Sequence, residues 1–251
     1  MKEDRISALQ NHLRKNGRAS IEELCSLFSI SKNTIRRDIN ELEKQNYIKK
    51  VYGGVILNDT KTTEPFESRE VKNKDEKQQI GSLASNLVED GDIIYIDSGT
   101  TTMCMIPHLA ARKNLTIITN NLHVITSSLP FSNLNIICTG GIFLRRTNSF
   151  IGIEAVNSLK QYNISKSFVA TTGLSIEKGL TNSSSFEYDI KRYISENCKQ
   201  IIVLADNTKF DRVSLMTYYD LKSIQVLVTD KEPDATYIKF FNDYNINLVI
   251  P

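Results

Sequence analysis

The sequence has little of what marks an extracellular, metal-holding or membrane-embedded chain. It contains no tryptophan, and its four cysteines, Cys25, Cys104, Cys138 and Cys198, lie far apart in 251 residues. They match no metal-ligand spacing and read as reduced, mostly buried thiols of a cytoplasmic protein. His12, His108 and His123 are equally scattered, which argues against a structural zinc. No stretch approaches the roughly 18 apolar residues of a membrane span. The charged start, Met1 to Arg5, has no apolar run behind it, so no secretory signal is expected. An excess of one charge is missing too: 31 basic residues face 29 acidic ones, for a net charge of +2. That balance excludes a disordered polyelectrolyte or a histone-like binder. It leaves nucleic acid open, because only the local field at a docking surface has to be positive.

What is present begins with three short helical patterns. Ile6, Leu9 and Leu13 recur at helical spacing, with Gly17 as a stop. Ser20-Ile21-Glu22-Glu23 reads as a capping box opening a second helix, with Leu24, Leu27 and Phe28 as its apolar face. Ser31 caps a third, whose Ile35, Ile39 and Leu42 face the other two. Opposite that stripe sit Ser31, Lys32, Asn33, Thr34, Arg36 and Arg37, gathered at the helix's N-terminal half. A recognition helix entering the major groove needs this arrangement, because Arg can bridge guanine O6 and N7 and Asn can pair with adenine. Lys49 and Lys50 then precede Tyr52-Gly53-Gly54, a glycine pair between two β-prone runs, as a hairpin wing requires. A charge run alone would be an ordinary solvated surface. The order of cap, basic third helix and glycine wing favours a winged helix-turn-helix over residues 1–57.

These residues also carry a resemblance. Leu24-Cys25-Ser26-Leu27-Phe28, the run from Ser31 through Thr34-Ile35-Arg36-Arg37-Asp38 to Glu43, and the closing Val51-Tyr52-Gly53-Gly54 resemble the N-terminal signature of the DeoR family of bacterial sugar-catabolism regulators. The resemblance implies an operator-binding domain, usually of a repressor, in which Thr34, Arg36 and Arg37 touch DNA.

Residues 58–75 are polar, contain Pro65 and show little periodicity, as a linker does; a larger domain is expected over 76–251. Ile80, Leu83, Ala84, Leu87 and Val88 mark a helix. Apolar runs follow at 93–96, 115–119, 134–138, 166–170, 200–205 and 224–229, with helical or turn material between most of them, and 246–250 offers an edge strand. The pattern predicts an α/β fold with a largely parallel sheet. Sites in such folds gather beyond the C-terminal strand ends. There the sequence places Asp97-Ser98-Gly99-Thr100-Thr101-Thr102, Thr119-Asn120-Asn121, Thr139-Gly140-Gly141, Thr171-Thr172-Gly173 and Asp206-Asn207-Thr208-Lys209. Each loop alone is as readily a cap or a tight turn, and Glu187 with Lys191 is as readily a helical i,i+4 ion pair. Together the five loops predict an anion pocket. It is neither a Walker loop nor a dinucleotide fingerprint, since both spacings are absent.

The family resemblance continues here through Asp97-Ser98-Gly99-Thr100-Thr101, Thr119-Asn120, Gly140-Gly141, Gly152, Thr172-Gly173, Glu187 and the loop from Asp206 to Phe210, where Thr208 stands in place of a common serine. It implies a sensor domain similar in fold to ribose-5-phosphate isomerase that binds a phosphorylated sugar or sugar acid. Asp97, Ser98, Gly99, Thr100, Thr101 and Lys209 would line the pocket, followed by Arg146 and Glu187. Arg145-Arg146-Thr147 and Gly179-Leu180-Thr181-Asn182-Ser183 are similar to the branch of the family that governs myo-inositol catabolism. The implied inducer is then a phosphorylated keto-deoxy-gluconic acid. The expected partners are double-stranded operator DNA, that inducer and further copies of the chain as a dimer or tetramer, with no membrane and no cofactor. An activator, or a sugar-phosphate isomerase carrying a DNA-binding module, remains open at this point.

Overall fold

The computed structural model describes residues 2–16, 18–44, 48–57 and 63–251. The chain divides into two compact units, residues 1–63 with 184–186, and residues 64–183 with 187–251. Gly17 and the first part of the expected linker, 58–62, lie outside the described residues.

The first unit contains α1 (Lys2–Asn16), β1 (Arg18–Ser20), α2 (Ile21–Phe28), α3 (Lys32–Lys44), β2 (Ile48–Val51) and β3 (Gly54–Leu57). Leu9, Leu13, Leu24, Ile35, Ile39 and Leu42 form its core with Ala19, Ile48 and Val55. The capping box is present, with Ser20 Oγ accepting from Glu23 N–H at 3.0 Å and Glu23 accepting from Ser20 N–H at 3.3 Å. Leu27, expected in the core, is instead 53% exposed. On a helix of two turns the hydrophobic face is covered by Leu24 and Phe28, and Leu27 falls outside that arc.

The wing differs from the expectation in one physical detail. Only Gly53 lies in the left-handed region, at φ +79°. Gly54 starts β3, and a sheet of order β1-β3-β2 pairs it with Ser20. A Cβ on Gly54 would meet Ala19 O at 2.4 Å and Ser20 Cα at 3.0 Å. Gly54 is therefore glycine because a third strand, not visible as a pattern in three residues, runs against it. Gly54→Ala should force β1 away from β3 and cost the first unit about 1–3 kcal/mol. Thermal melts followed by circular dichroism check this, and an unchanged melting temperature would show that β1 moves aside freely.

The second unit opens with α4 (Phe66–Val71) and α5 (Lys74–Ser85), so a short helix occupies part of the segment that reads as linker. The sheet strands are β4 (Ile93–Ile96), β5 (Thr116–Thr119), β6 (Asn135–Cys138), β9 (Lys166–Ala170), β12 (Gln200–Leu204), β14 (Val226–Val228) and β15 (Asn247–Val249). They form a seven-stranded sheet of order β15-β14-β12-β9-β4-β5-β6. Every pairing in it is parallel. Alternate residues feed two cores: Tyr95, Val169 and Val203 on one face, Ile94, Ile96, Phe168 and Ile202 on the other. Burial of both faces explains the continuous apolar runs. Smaller elements complete the unit: α6 (Leu122–Ser128), β7 (Ile142–Leu144) paired with β8 (Ser149–Ile151), α7 (Ile153–Leu159), β10 (Gly173–Ser175), β11 (Gly179–Asn182), α8 (Tyr188–Asn197), β13 (Met216–Tyr219) and α9 (Ala235–Asp243).

The strand order decides where a site can form. From β4 the chain builds outward to β5 and β6, then returns to place β9 on β4's other side and builds on to β12, β14 and β15. The reversal lies between β4 and β9. In parallel sheets the loops on either side of such a reversal part and leave a crevice at the C-terminal strand ends.

Candidate functional site

In the first unit, α3 exposes Lys32, Asn33, Arg36 and Arg37, while the wing exposes Lys49, Lys50 and Tyr52. Ser31 and Thr34 are engaged locally: Ser31 Oγ accepts from Thr34 N–H at 3.3 Å and lies 3.0 Å from the Thr34 hydroxyl. Neither Arg36 nor Arg37 has an ion-pair partner among the described residues, so both guanidiniums stand ready for an external anion. Lys32 touches Glu22 at 3.1 Å and Lys50 touches Glu43 at 2.5 Å. Exposed pairs of this kind are weak and readily exchanged for phosphate. Asp38, in the same run as the two arginines, turns inward and takes a two-point contact from Arg5 at 2.6 and 3.1 Å. That hydrogen bond raises the Arg5 pKa. Gly54 is buried in the sheet and offers a neighbour nothing but backbone.

In the second unit, Asp97 follows β4 at the reversal and is buried. Its Oδ2 accepts from Ala170 N–H at 3.1 Å, and the Lys191 ammonium bonds the same oxygen and, at 2.8 Å, Ala170 O. Burial by itself lowers the Lys191 pKa, but the charges of Asp97, Tyr218 and Glu187 outweigh it and the net shift is upward. The pair clamps the end of β4 to the end of β9. Glu187 and Lys191, one turn apart, do not pair with each other. Glu187 Oε1 accepts from Ser98 Oγ at 2.7 Å and Ser149 Oγ at 3.1 Å. Its Oε2 takes the Asn182 amide at 3.4 Å. A buried carboxylate ringed by hydroxyl and amide donors is suited to reading hydroxyl groups.

The Ser98–Thr101 loop supplies the other polarity. Among the described residues, the amides of Ser98, Gly99, Thr100 and Thr101 and the hydroxyls of Thr100 and Thr101 have no hydrogen-bond partner. Successive unclaimed amides form an anion-binding concavity. Gly99 has to be glycine, because an added Cβ would lie 2.3 Å from Ala170 Cβ. Thr102 closes the turn by donating to Asp97 O at 2.8 Å and Gly99 O at 2.9 Å. The element that follows, Thr102–Leu109, is a 3-10 helix.

After β12, Asp206 Oδ1 accepts from Asn73 Nδ2 at 3.2 Å and Thr208 N–H at 3.0 Å. Lys209 Nζ lies 3.6 Å from its Oδ2. The ends of β4, β9 and β12 are consecutive in the sheet, so Asp97 and Asp206 follow strands about 10 Å apart at normal strand spacing.

Other expected residues make contacts within the unit or sit in its turns. Thr119 Oγ1 donates to Ile96 O at 2.6 Å. The Asn120 side chain bridges the Tyr95 hydroxyl at 2.8 Å and Phe150 O at 3.1 Å, fully engaged inside the wall. Gly140 has φ +66° in an open turn, and Gly152, at φ +103°, precedes α7. Thr172 is exposed and donates to Asn182 Oδ1 at 3.1 Å. Arg146 offers its carbonyl to Phe66 N–H at 2.9 Å. Lys191, Ser149 and Asn182 complete the polar cluster but were absent from the expected pocket. Lys191 carried the one usable signal, a lysine one turn after a glutamate, which favours the ordinary helical pair.

Comparison with known proteins agrees with both halves of this picture. The DeoR-like helix-turn-helix domain matches residues 5–61, and the DeoR C terminal sensor domain matches residues 72–231. The chain is 40% identical over 248 residues to the HTH-type transcriptional regulator IolR of Bacillus subtilis (strain 168), covering 99% of each. It is 29% identical over 249 residues to the HTH-type transcriptional repressor GlcR of the same organism, covering 99% of this chain and 96% of that one. The glycerol-3-phosphate regulon repressor of Escherichia coli (strain K12) is 29% identical over 236 residues, 94% of each chain. A ribose 5-phosphate isomerase A of Methanocaldococcus jannaschii overlays 55% of each chain at 16% identity and a TM-score of 0.42, too slight a likeness to bear on activity. Matched in both units and similar end to end to these regulators, the chain belongs to the DeoR family of DNA-binding transcriptional regulators.

Proposed function

We propose that the chain is a cytoplasmic repressor of a carbohydrate catabolic operon, released from operator DNA by a phosphorylated sugar or sugar acid. The observation that carries this reading is the unclaimed amide and hydroxyl set of Ser98–Thr101 at the sheet reversal, beside the hydroxyl-reading Glu187. The loop suits a phosphoryl group and the carboxylate suits the polyol attached to it. The resemblance to the inositol branch narrows the operon to myo-inositol catabolism and the inducer to a phosphorylated keto-deoxy-gluconic acid. Exposed Arg36, Arg37, Lys49 and Lys50 supply the DNA-facing charge, and a homodimer or tetramer would set two such modules on successive major grooves. Turnover of the sugar is not expected. Of the carboxylates that could abstract a proton, Asp97 is held by Lys191 and Ala170 N–H, and Glu187 by Ser98, Ser149 and Asn182.

The test is a titration of the full chain on the DNA upstream of its neighbouring operon, with and without a panel of phosphorylated sugars and sugar acids. One compound should release specific binding, since an inducer acts only by preferring the state that does not bind DNA. Lys209→Ala should keep operator affinity and lose at least tenfold in sensitivity to that compound. A normal response in Lys209→Ala would remove Lys209 from the anion site. Binding released by nothing in the panel would count against the sensor reading.

A further inference from the structure

Lys77 stands one turn after Asn73 in α5, on the same helix face. Asn73 reaches across to Asp206 Oδ1 at 3.2 Å and Thr208 Oγ1 at 3.4 Å, which fastens the start of α5 to the loop carrying Lys209. Lys77 is 4% exposed, and among the described residues no carboxylate forms an ion pair with it. Its ammonium donates to one backbone group, Arg69 O. Burial lowers its pKa, an effect that Asp206 opposes and Lys209 adds to. The buried Arg69 Nη2, on the residue whose carbonyl takes the ammonium, and Asp206 Oδ2, on the residue that Asn73 reaches, lack hydrogen-bond partners among the described residues. Lys77 thus lies one turn along the helix whose start Asn73 fastens to the loop of Asp206 and Lys209. A buried cation without a counter-charge is costly to keep for stability alone, and an excess of cations over carboxylates in a crevice suits a dianion.

Resting on the sensor reading above, we propose that Lys77 is a further ligand-binding residue, supplying its ammonium together with Lys209 to the anionic group of the effector. The residue comes from the helix preceding the first sheet strand, so the effector would be gripped from α5 as well as from the strand-end loops. A phosphoryl dianion fits this pairing better than a neutral sugar, because each of its oxygens accepts a charge-assisted bond.

The experiment uses the full chain with 6-phosphogluconate as probe, and gluconate as the same carbon skeleton without phosphate. Calorimetric titration and thermal melts are recorded for wild type, Lys77→Met and Lys77→Gln, the last keeping a donor for Arg69 O. The expected result is 6-phosphogluconate binding to wild type, at least tenfold weaker in both variants, with gluconate equally poor for all three. Without probe, both variants should melt at or above the wild-type temperature, because an uncompensated buried charge has been removed. Wild-type affinity in the variants would overturn the proposal and leave the sensor reading intact. Variants that melt well below wild type would assign Lys77 to pinning α4 and overturn it as well. Failure of the wild type to respond to any phosphorylated compound would remove the sensor reading itself, and the role of Lys77 with it.

Discussion

Lys191→Met should cost the second unit about 3–5 kcal/mol, the usual penalty for removing one partner of a buried ion pair. Asp97 and Lys191 are both almost fully buried, at 1% and 4% side-chain exposure. With the ammonium gone, the Asp97 carboxylate keeps, among the described residues, the Ala170 amide and a 3.4 Å approach of the Ser98 hydroxyl, whose proton is shared with Glu187. The methylene stem of methionine fills the space, so the loss isolates charge rather than volume. Lys191 holds a raised pKa, so its contribution is complete below its ordinary value of 10.5 and is lost as pH climbs through the higher folded value. The defect should accordingly be flat across neutral pH. Because the chain has no tryptophan, tyrosine emission reports on unfolding, and Tyr95, Tyr162, Tyr188, Tyr193, Tyr218, Tyr219, Tyr237 and Tyr244 all lie in the second unit. Urea titrations read this way should show a large fall in midpoint for Lys191→Met. Arg192→Met, which breaks an exposed pair with Glu196, should change stability by less than about 1 kcal/mol. Adding Asp97→Asn to Lys191→Met should recover part of the loss, the signature of direct coupling. Equal behaviour of the two single variants would mean that Asp97 finds another neutralising group.

Arg36→Ala and Arg37→Ala should each weaken operator binding by roughly tenfold to a hundredfold, the cost of about 1–3 kcal/mol for one base-reading arginine. Both side chains are exposed, so the melting temperature of the first unit should stay within a degree or two. The two possible roles separate in the same assay. Loss of a base contact relaxes preference at one position, whereas loss of a phosphate contact weakens all sequences alike and lowers the salt dependence by about one counterion. Arg5→Ala makes the informative contrast. It strands Asp38 in the core, so it should damage stability first and binding only through it. Unchanged affinity in both α3 variants would take this helix out of the DNA interface.

Legibility in the sequence followed how local each determinant is. The parallel strands were readable because burial on both faces writes an uninterrupted apolar run, as at Ile93–Ile96 and Gln200–Leu204. The start of α2 was readable because its capping box is complete within four residues. What depends on partners distant in the chain was not. β1 has three residues and exists because β3 lies beside it. The Asp97–Lys191 clamp joins residues 94 apart, while the nearer Glu187 offered a cheaper explanation for the lysine. Asn120 looked like a pocket residue because it follows a strand, yet its neighbours Tyr95 and Phe150 consume its side chain. The loops were legible as a set, whereas their arrangement about the reversal between β4 and β9 needed the sheet order.

The third strand has a further meaning for how the DNA-binding unit lets go. Ile21 N–H donates to Gly53 O at 3.0 Å, and Ser20 both caps α2 and pairs with Gly54. The wing tip is therefore stitched to the helix that packs under α3, and the two DNA-facing elements form one stiff reading head. In the proposed repressor, helix and wing are therefore expected to leave the operator together, with the hydrogen bonds that join them intact.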